Sequence, residues 1–184
     1  MSMLLAGQTS ARLNYRKVRQ ADFEIWLPFF QDPRTSLHWN LPNVSPEQLC
    51  KDWYQYQFYR YAQGLGGMNA MVEKHTGDLV GHCGLLIQEV DGQQELEIGY
   101  SLLPDYWGNG YATEAAITCR DHAFIHDLSD SVVSIISTTN LSSEKVARAN
   151  SMSLDHQTVY KSNQVNIFRI KRAAWLSLKS LDKR

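Results

Sequence analysis

The chain has 184 residues, of which 43% are hydrophobic and 20% charged, and its formal net charge is −1. This length suits a single core, so we expect residues 1–184 to form one domain. The balanced charge excludes a bulk basic field for nucleic acid or an anionic membrane. No apolar run approaches the roughly 20 residues that span a bilayer. Three widely spaced cysteines favour free thiols, and the sequence predicts a cytoplasmic protein.

Apolar periodicity and turn residues predict the elements of the chain. Ser45 and Pro46 mark a helix start, as N-cap and first helical position, and Asp91-Gly92 marks a hairpin turn. In chain order, strands are expected over 13–18, 70–74, 79–88, 95–103, 132–136, 154–160 and 165–170, and helices over 22–30, from Pro46 to Gly64, from Gly110 onward, over 142–149 and over 173–181. Long helices among hairpins predict an α+β fold with a mixed sheet.

A glycine turn lies between the fourth strand and the third helix, in the run WGNGYATEA from Trp107 to Ala115. A strand, a tight turn and a helix N-terminus bring unpaired N–H groups and the positive end of the helix dipole to one point. Such a junction can hold a phosphate. No Gly-Lys-Ser/Thr follows, which excludes a P-loop. Thr113 occupies the third, small-residue position of the dinucleotide fingerprint, which disfavours a nicotinamide cofactor.

The residues around this turn resemble the core motif of the GNAT N-acetyltransferase superfamily. The stretch EIGYSLLP from Glu97 to Pro104 precedes the turn, and Asn140-Leu141-Ser142-Ser143 follows it. The superfamily pattern Arg/Gln-x-x-Gly-x-Gly/Ala begins at Trp107, and Trp at this place is typical of the ribosomal-protein N-terminal (alanine/serine) acetyltransferase branch. Ser151-Met152 stands where that branch has Gly-Phe. The resemblance covers residues 11–172 and implies a GNAT-like mixed, mostly antiparallel sheet of about seven strands flanked by helices.

The resemblance implies acetyl-CoA as cosubstrate and an amine as acceptor. Glycines in the turn let the backbone approach a pyrophosphate without a Cβ. Backbone groups around Leu102 and Leu103 would pair with the pantetheine arm, and Asn140 and Ser143 would bind it from the end of the next strand. The turn residues that would hold the pyrophosphate are Gly108, Asn109, Gly110, Tyr111, Ala112 and Thr113.

Acetyl transfer to an amine needs a base for the ammonium and a group that stabilises the leaving thiolate. Glu97 is the base that the resemblance implies, directly or through a water. Glu95 is the alternative because it lies on the same face of the strand. Ser143 is the candidate beside the thiolate, and Tyr160 is its rival. No activated Cys or Ser nucleophile is evident, so we expect direct attack by the amine.

Two further patterns bear on function. The aromatic helix over residues 53–61 either packs in the core or forms a wall of the acceptor cleft, where Lys51 and Arg60 would meet acidic groups. His122 and His126 share a helix face but lack a third ligand, so no metal site is predicted. The sequence thus predicts an N-acetyltransferase, monomeric or homodimeric, for a peptide N-terminus or a small amine. The alternative is a non-catalytic acyl-CoA-binding module or sensor on the same fold.

Overall fold

The computed structural model describes residues 2–181, which contain seven strands and five α-helices. The strands are β1 (Leu13–Lys17), β2 (Gly66–Glu73), β3 (Leu79–Val90), β4 (Gln93–Leu102), β5 (Ser131–Ser137), β6 (Ser153–Tyr160) and β7 (Asn163–Lys171). The helices are α1 (Phe23–Gln31), α2 (Pro46–Ala62), α3 (Tyr111–Ile125), α4 (Leu141–Ala149) and α5 (Arg172–Leu181). The predicted α+β class is confirmed.

The strands form one sheet in the order β1-β2-β3-β4-β5-β7-β6. All neighbours run antiparallel except β4 and β5, which run parallel and pair at a single position, Glu97 opposite Val133. The prediction of a mixed, mostly antiparallel sheet is therefore confirmed. Within the described residues, the β4–β5 ladder does not continue past this pair. Toward their C-terminal ends, the facing backbone edges of β4 and β5 therefore do not pair with each other.

Helices cover both faces of the sheet. Leu96 and Ile98 of β4 are buried and pack in one cluster with residues of α3, α4 and α5. Trp26 of α1 and Tyr54 of α2 lie in a second buried cluster on the opposite face. Because Glu97 alternates with Leu96 and Ile98, its side chain projects to the face that α1 and α2 cover.

The expected start of β2 at residue 70 is wrong, because the strand begins at Gly66. Glycines let β2 and β3 come close at this place. A Cβ on Gly66 would lie 2.0 Å from the carbonyl oxygen of Leu85, and one on Gly84 would lie 2.1 Å from that of Gly67. Because glycine has no side chain, the glycines at the start of β2 give no alternation of apolar and polar residues from which a strand could be predicted.

Several features bear on the class of protein. Cys50, Cys83 and Cys119 are free, as expected for three widely spaced cysteines, and all three are buried. Between residues 2 and 181, no helix is long and apolar enough to cross a membrane. The same part of the chain contains no group of three or more His, Cys, Asp or Glu residues that could hold a metal ion. The His122 ring instead meets the carbonyl oxygen of Ser2 at 3.0 Å.

Candidate acetyl-CoA and acceptor site

The glycine turn connects β4 to α3 as the sequence predicts. Gly108 and Gly110 have φ angles of +76° and +79°, a region that residues with a Cβ disfavour. Gly110 is also the N-cap of α3. In the described part of the chain, no backbone N–H from residue 108 to residue 113 donates to a protein acceptor. A row of free amides at a helix N-terminus attracts anions, and the donor set fits a pyrophosphate.

Arg12, just before β1, holds this turn in place. Its Nη1 donates to the carbonyl oxygen of Asn109 at 2.8 Å, and its Nε donates to Glu114 Oε2 at 2.7 Å. The guanidinium also lies over the Tyr111 ring, 4.4 Å from its centroid. Burial opposes the ionised form of Glu114, but hydrogen bonds from Arg12 and Ser10 outweigh it and hold the pKa below the ordinary value. Arg12 therefore neutralises an acid in the first turn of α3.

The backbone at the end of β4 is partly used within the fold. The N–H of Leu103 donates to the carbonyl oxygen of Val80 at 3.1 Å. The indole N–H of Trp107 donates to the carbonyl oxygen of Leu102 at 2.9 Å. The Leu103 amide and the Leu102 carbonyl are thus engaged within the fold, whereas the resemblance implies that both residues pair with pantetheine.

Tyr100 lies on the edge of β4 that does not pair with β5. It is not among the residues that the sequence predicts for the site. Alternation places its backbone groups on the side of the strand that faces β5, as for Ile98, whose carbonyl accepts from Ser134 Oγ at 3.1 Å. The phenol of Tyr100 donates to the carbonyl oxygen of Ser143 at 3.0 Å. Burial raises the pKa of Tyr100, so this phenol stays protonated. The residue lies within the EIGY stretch, but no local pattern shows its link to α4.

Asn140 and Ser143 form the N-terminus of α4. The side-chain carbonyl of Asn140 accepts from the Ser143 N–H at 3.0 Å and caps the helix. Ser143 is half-buried in the first helical turn. Because α4 packs with α3 on the same face of the sheet, both residues lie on the same face as the glycine turn.

The two candidate bases differ in their surroundings. Glu95 makes a two-point ion pair with Arg169, at 2.7 and 2.9 Å. Glu97 is half-buried and accepts from the Gln88 side-chain amide at 2.7 Å. Burial raises the pKa of Glu97, and the Gln88 hydrogen bond and the charges of Lys161 and Arg60 oppose that rise only in part. The surroundings of Glu97 therefore make its carboxylate more basic than an ordinary glutamate.

Tyr160 lies on the Glu97 face of the sheet. It packs against a buried apolar cluster that includes Val133 and Ile135 of β5. Burial and the Glu97 carboxylate raise the pKa of Tyr160. Tyr160 therefore shares a face with Glu97, whereas its rival Ser143 lies with the turn on the other face.

The aromatic helix α2 packs in the core with one side and is exposed on the other, and its role as a wall of the acceptor cleft stays a prediction. Trp53 and Tyr54 pack inward, and the Trp53 ring lies 5.9 Å from that of Trp26. Tyr56 and Tyr59 are 44% and 53% exposed and form a surface of the helix.

Ser151 and Met152 end α4 in a Schellman motif. The N–H of Met152 donates to the Ala147 carbonyl oxygen at 3.0 Å, and that of Ser151 to Arg148 at 2.9 Å. Ser151 takes the left-handed conformation usual for glycine there, with φ of +61°. Met152 is buried in the main core. The local geometry is thus retained at the cost of backbone strain.

Comparisons with known proteins agree with this arrangement. The model of the acetyltransferase (GNAT) domain family matches residues 12–153. The uncharacterized protein YkkB of Bacillus subtilis (strain 168) is 31% identical over 119 residues, which are 64% of this chain and 67% of that protein. The uncharacterized N-acetyltransferase p20 of Bacillus licheniformis is 27% identical over 114 residues, 61% of this chain and 63% of that protein. The matched part is thus about two thirds of the length of these relatives.

Solved structures show the same fold. The acetyltransferase from Agrobacterium tumefaciens str. C58 superposes with a TM-score of 0.74 at 25% identity, over 88% of this chain and 92% of that one. RimL, a ribosomal L7/L12 alpha-N-protein acetyltransferase solved with coenzyme A, gives 0.71 at 18% identity, over 90% and 97%. Spermidine N-acetyltransferase from Vibrio cholerae, solved with CoA and spermine, gives 0.72 at 13% identity, over 90% and 99%.

This fold, with a turn of free amides beside an open strand edge, identifies the class of protein. It is the class of acetyltransferases that take their acyl group from acetyl-CoA. The family model matches more than half of the residues, so the chain belongs to the GNAT acetyltransferase family. The resemblance recognised in the sequence is thereby confirmed. Acetyl-CoA is the cosubstrate of this class of enzyme.

Proposed function

We propose that the protein, acting as a single domain, transfers the acetyl group of acetyl-CoA to a primary amine by direct attack. The acceptor is either a peptide N-terminus or a small-molecule amine. One observation carries the proposal: β4 joins the row of free amides at its C-terminal end to the half-buried carboxylate of Glu97. An anion cradle and a carboxylate of raised pKa are what a CoA-dependent transfer to an amine requires.

The donor side of the site uses the backbone. The amides from Gly108 to Thr113 would hold the pyrophosphate, with the dipole of α3 adding attraction. The open edge of β4 at Tyr100 would pair with the amide-bearing arm, in place of the engaged Leu103. Asn140 would contact the arm from α4.

The acceptor side uses Glu97. Its raised pKa makes the carboxylate a better proton acceptor for an ammonium group, directly or through a water. The free amine then forms the C–N bond as the C–S bond breaks. The departing thiolate takes a proton from Ser143 or, as the alternative, from Tyr160, and the attacking nitrogen gives up its extra proton, which restores that hydroxyl.

Calorimetry and thiol release test the proposal together. We expect acetyl-CoA to bind, and we expect free thiol to appear when an amine is added. No binding at millimolar acetyl-CoA would refute the proposal. Binding without amine-dependent release would instead favour an acyl-CoA-binding module.

Glu97→Gln and Glu95→Gln form a matched pair. Loss of a general base costs about 10²–10⁴-fold in rate, so we expect a drop of at least about 100-fold in kcat/KM for Glu97→Gln. Glu95→Gln breaks the ion pair with Arg169 and should lower stability while retaining activity. Equal activity losses in the two variants would contradict the assignment of Glu97.

Ser143→Ala and Ser142→Ala separate the thiolate-side role from helix packing. Both serines lie in the first turn of α4, and Ser142 is exposed. If Ser143 assists the thiolate, only Ser143→Ala should lower kcat. A loss confined to Tyr160→Phe would assign that role to Tyr160.

A further inference from the structure

A buried cation lies beside the acceptor face of the sheet. Arg60 of α2 is only 1% exposed. Its guanidinium donates to Tyr56 Oη at 3.1 Å and to the carbonyl oxygens of Leu65 and Ile87 at 2.6 and 2.8 Å. Within residues 2–181 it forms no ion pair with a carboxylate, and its Nε has no hydrogen-bond partner. Its charge acts on the Glu97 carboxylate without forming an ion pair, so a buried positive charge remains that an anion from outside would stabilise.

A cavity of about 380 Å³ opens beside this cation, between α2 and the β3–β4 hairpin. Tyr56, Arg60 and Gln88 line it. Because the Tyr56 hydroxyl accepts from Arg60, its own proton is free to point into the cavity. Tyr56 is 44% exposed, so a ligand can reach this hydroxyl while the guanidinium stays behind it.

The cavity adjoins the proposed base through Gln88. The Gln88 side chain lines the cavity and donates to Glu97 Oε2 at 2.7 Å. One glutamine side chain therefore separates the two places. A ligand that reaches both Glu97 and the cavity would pass beside this side chain.

The charges around this path favour an anion at its far end. The Lys161 ammonium lies 5.0 Å from the centroid of the Tyr160 ring, and Lys161 and Arg60 both act electrostatically on Glu97. Glu89, which lines the cavity, and Lys161 are both exposed, so solvent screens both of their charges, whereas the guanidinium of Arg60 is buried. A second ammonium on the acceptor would meet the buried positive charge of Arg60, whereas a carboxylate would be attracted by it.

We propose that the acceptor is a small amine that also carries a carboxylate. Its amino group lies at Glu97, and its carboxylate accepts from the Tyr56 hydroxyl in the field of Arg60. This inference rests on the proposed acetyl transfer and narrows its acceptor to one chemical class.

Three amines of equal carbon-chain length test this assignment: 4-aminobutyrate, n-butylamine and putrescine. They end in a carboxylate, a methyl group and a second ammonium. We expect kcat/KM for 4-aminobutyrate to exceed that for butylamine by about tenfold or more, as a charge-assisted hydrogen bond allows, with putrescine lowest. A preference for butylamine or putrescine overturns the inference.

Tyr56→Phe and Tyr59→Phe form the matched pair of variants. The two rings stack on the same helix at 6.3 Å, but only Tyr56 lines the cavity. We expect Tyr56→Phe to reduce the preference for 4-aminobutyrate about tenfold, and Tyr59→Phe to retain it. An unchanged preference in Tyr56→Phe overturns the inference. Lys161→Gln changes an exposed residue and should also weaken the preference for 4-aminobutyrate. It replaces Arg60→Gln as the test of the positive charge if the Arg60 variant does not fold.

Failure of the acetyl transfer is distinguishable from failure of this site. Calorimetry with 4-aminobutyrate and butylamine in the presence of CoA measures binding without turnover. Carboxylate-dependent binding with no thiol release supports the site and overturns the transfer. Thiol release without any preference for the carboxylate-bearing amine supports the acetyl transfer and overturns the proposed carboxylate site.

Discussion

The left-handed glycines of the turn allow a test of how CoA is held. Gly108 has φ of +76°, and a Cβ built on it has nothing within 4 Å. Gly108→Ala therefore changes backbone strain and creates no clash within the protein. Gly77, in the turn between β2 and β3, offers a matched control with φ of +79° and equally open surroundings.

The two substitutions should destabilise the fold equally. A left-handed conformation costs a residue with a Cβ about 1–2 kcal/mol. The unfolded chain of the alanine variant has less conformational entropy to lose on folding, which offsets about 0.4–1 kcal/mol of this strain. We therefore expect each variant to lose about 1 kcal/mol of unfolding free energy.

Only Gly108→Ala should weaken acetyl-CoA binding. If the turn relieves its strain by shifting φ, at least one amide of the row no longer points at the pyrophosphate. A hydrogen bond to a charged group contributes about 1.5–3 kcal/mol, so the Kd should rise by about tenfold or more. Urea denaturation measures the first effect and calorimetry the second. Equal Kd values for Gly108→Ala and Gly77→Ala, at equal loss of stability, would refute the role of the turn.

Further predictions concern caps and titrating groups. Asn140→Ala should cost about 1 kcal/mol of stability, and Asn140→Asp should recover most of it, in urea denaturation. Ser151→Gly should stabilise the protein by about 1 kcal/mol in the same assay, because it relieves the strain at φ +61°. The acid limb of kcat/KM should lie above the ordinary glutamate pKa of 4.5, since the base must be ionised and burial raises the pKa of Glu97. Burial lowers the pKa of His82 to about 3, while an unfolded histidine titrates near 6.5. The unfolded state thus binds the extra proton, and stability should fall by about 2 kcal/mol between pH 6.5 and 5. His82→Leu should remove this slope, and a slope that persists in the variant would contradict the assignment.

Local patterns in the sequence predict much of the fold. The two-residue hairpin turn at Asp91-Gly92 has both φ angles positive, at +51° and +73°, as Asp-Gly favours. Ser45 caps α2 through the Gln48 N–H, as its position before Pro46 predicts. The start of β2 shows the limit of such patterns. Glycine is needed at position 66 because the backbone of Leu85 in β3 leaves no room for a Cβ, and this contact is not visible in the local sequence.

The site was predictable only where its residues are close in sequence. The glycine turn is a contiguous motif and folds as expected. Arg12 contacts Glu114 across 102 positions, and no local pattern connects them. The proposal of Glu97 rather than Glu95 as the base rests in part on the ion pair of Glu95 with Arg169, which lies 74 positions away. Partners brought together by strand order therefore decide the electrostatics of the site.

The separation of β4 and β5 sets how deep an extended ligand can enter. The Glu97–Val133 pair closes the base of the gap, and the hydrogen bond from Ser134 to the Ile98 carbonyl reinforces it one residue further on. An arm that follows the Tyr100 edge from the turn would therefore stop beside Ile98. Because successive residues of a strand project to opposite faces, the Glu97 carboxylate emerges on the other face at the same depth. In the proposed transfer, the point where the two strands join would bring the acetyl donor on one face within reach of the amine acceptor on the other.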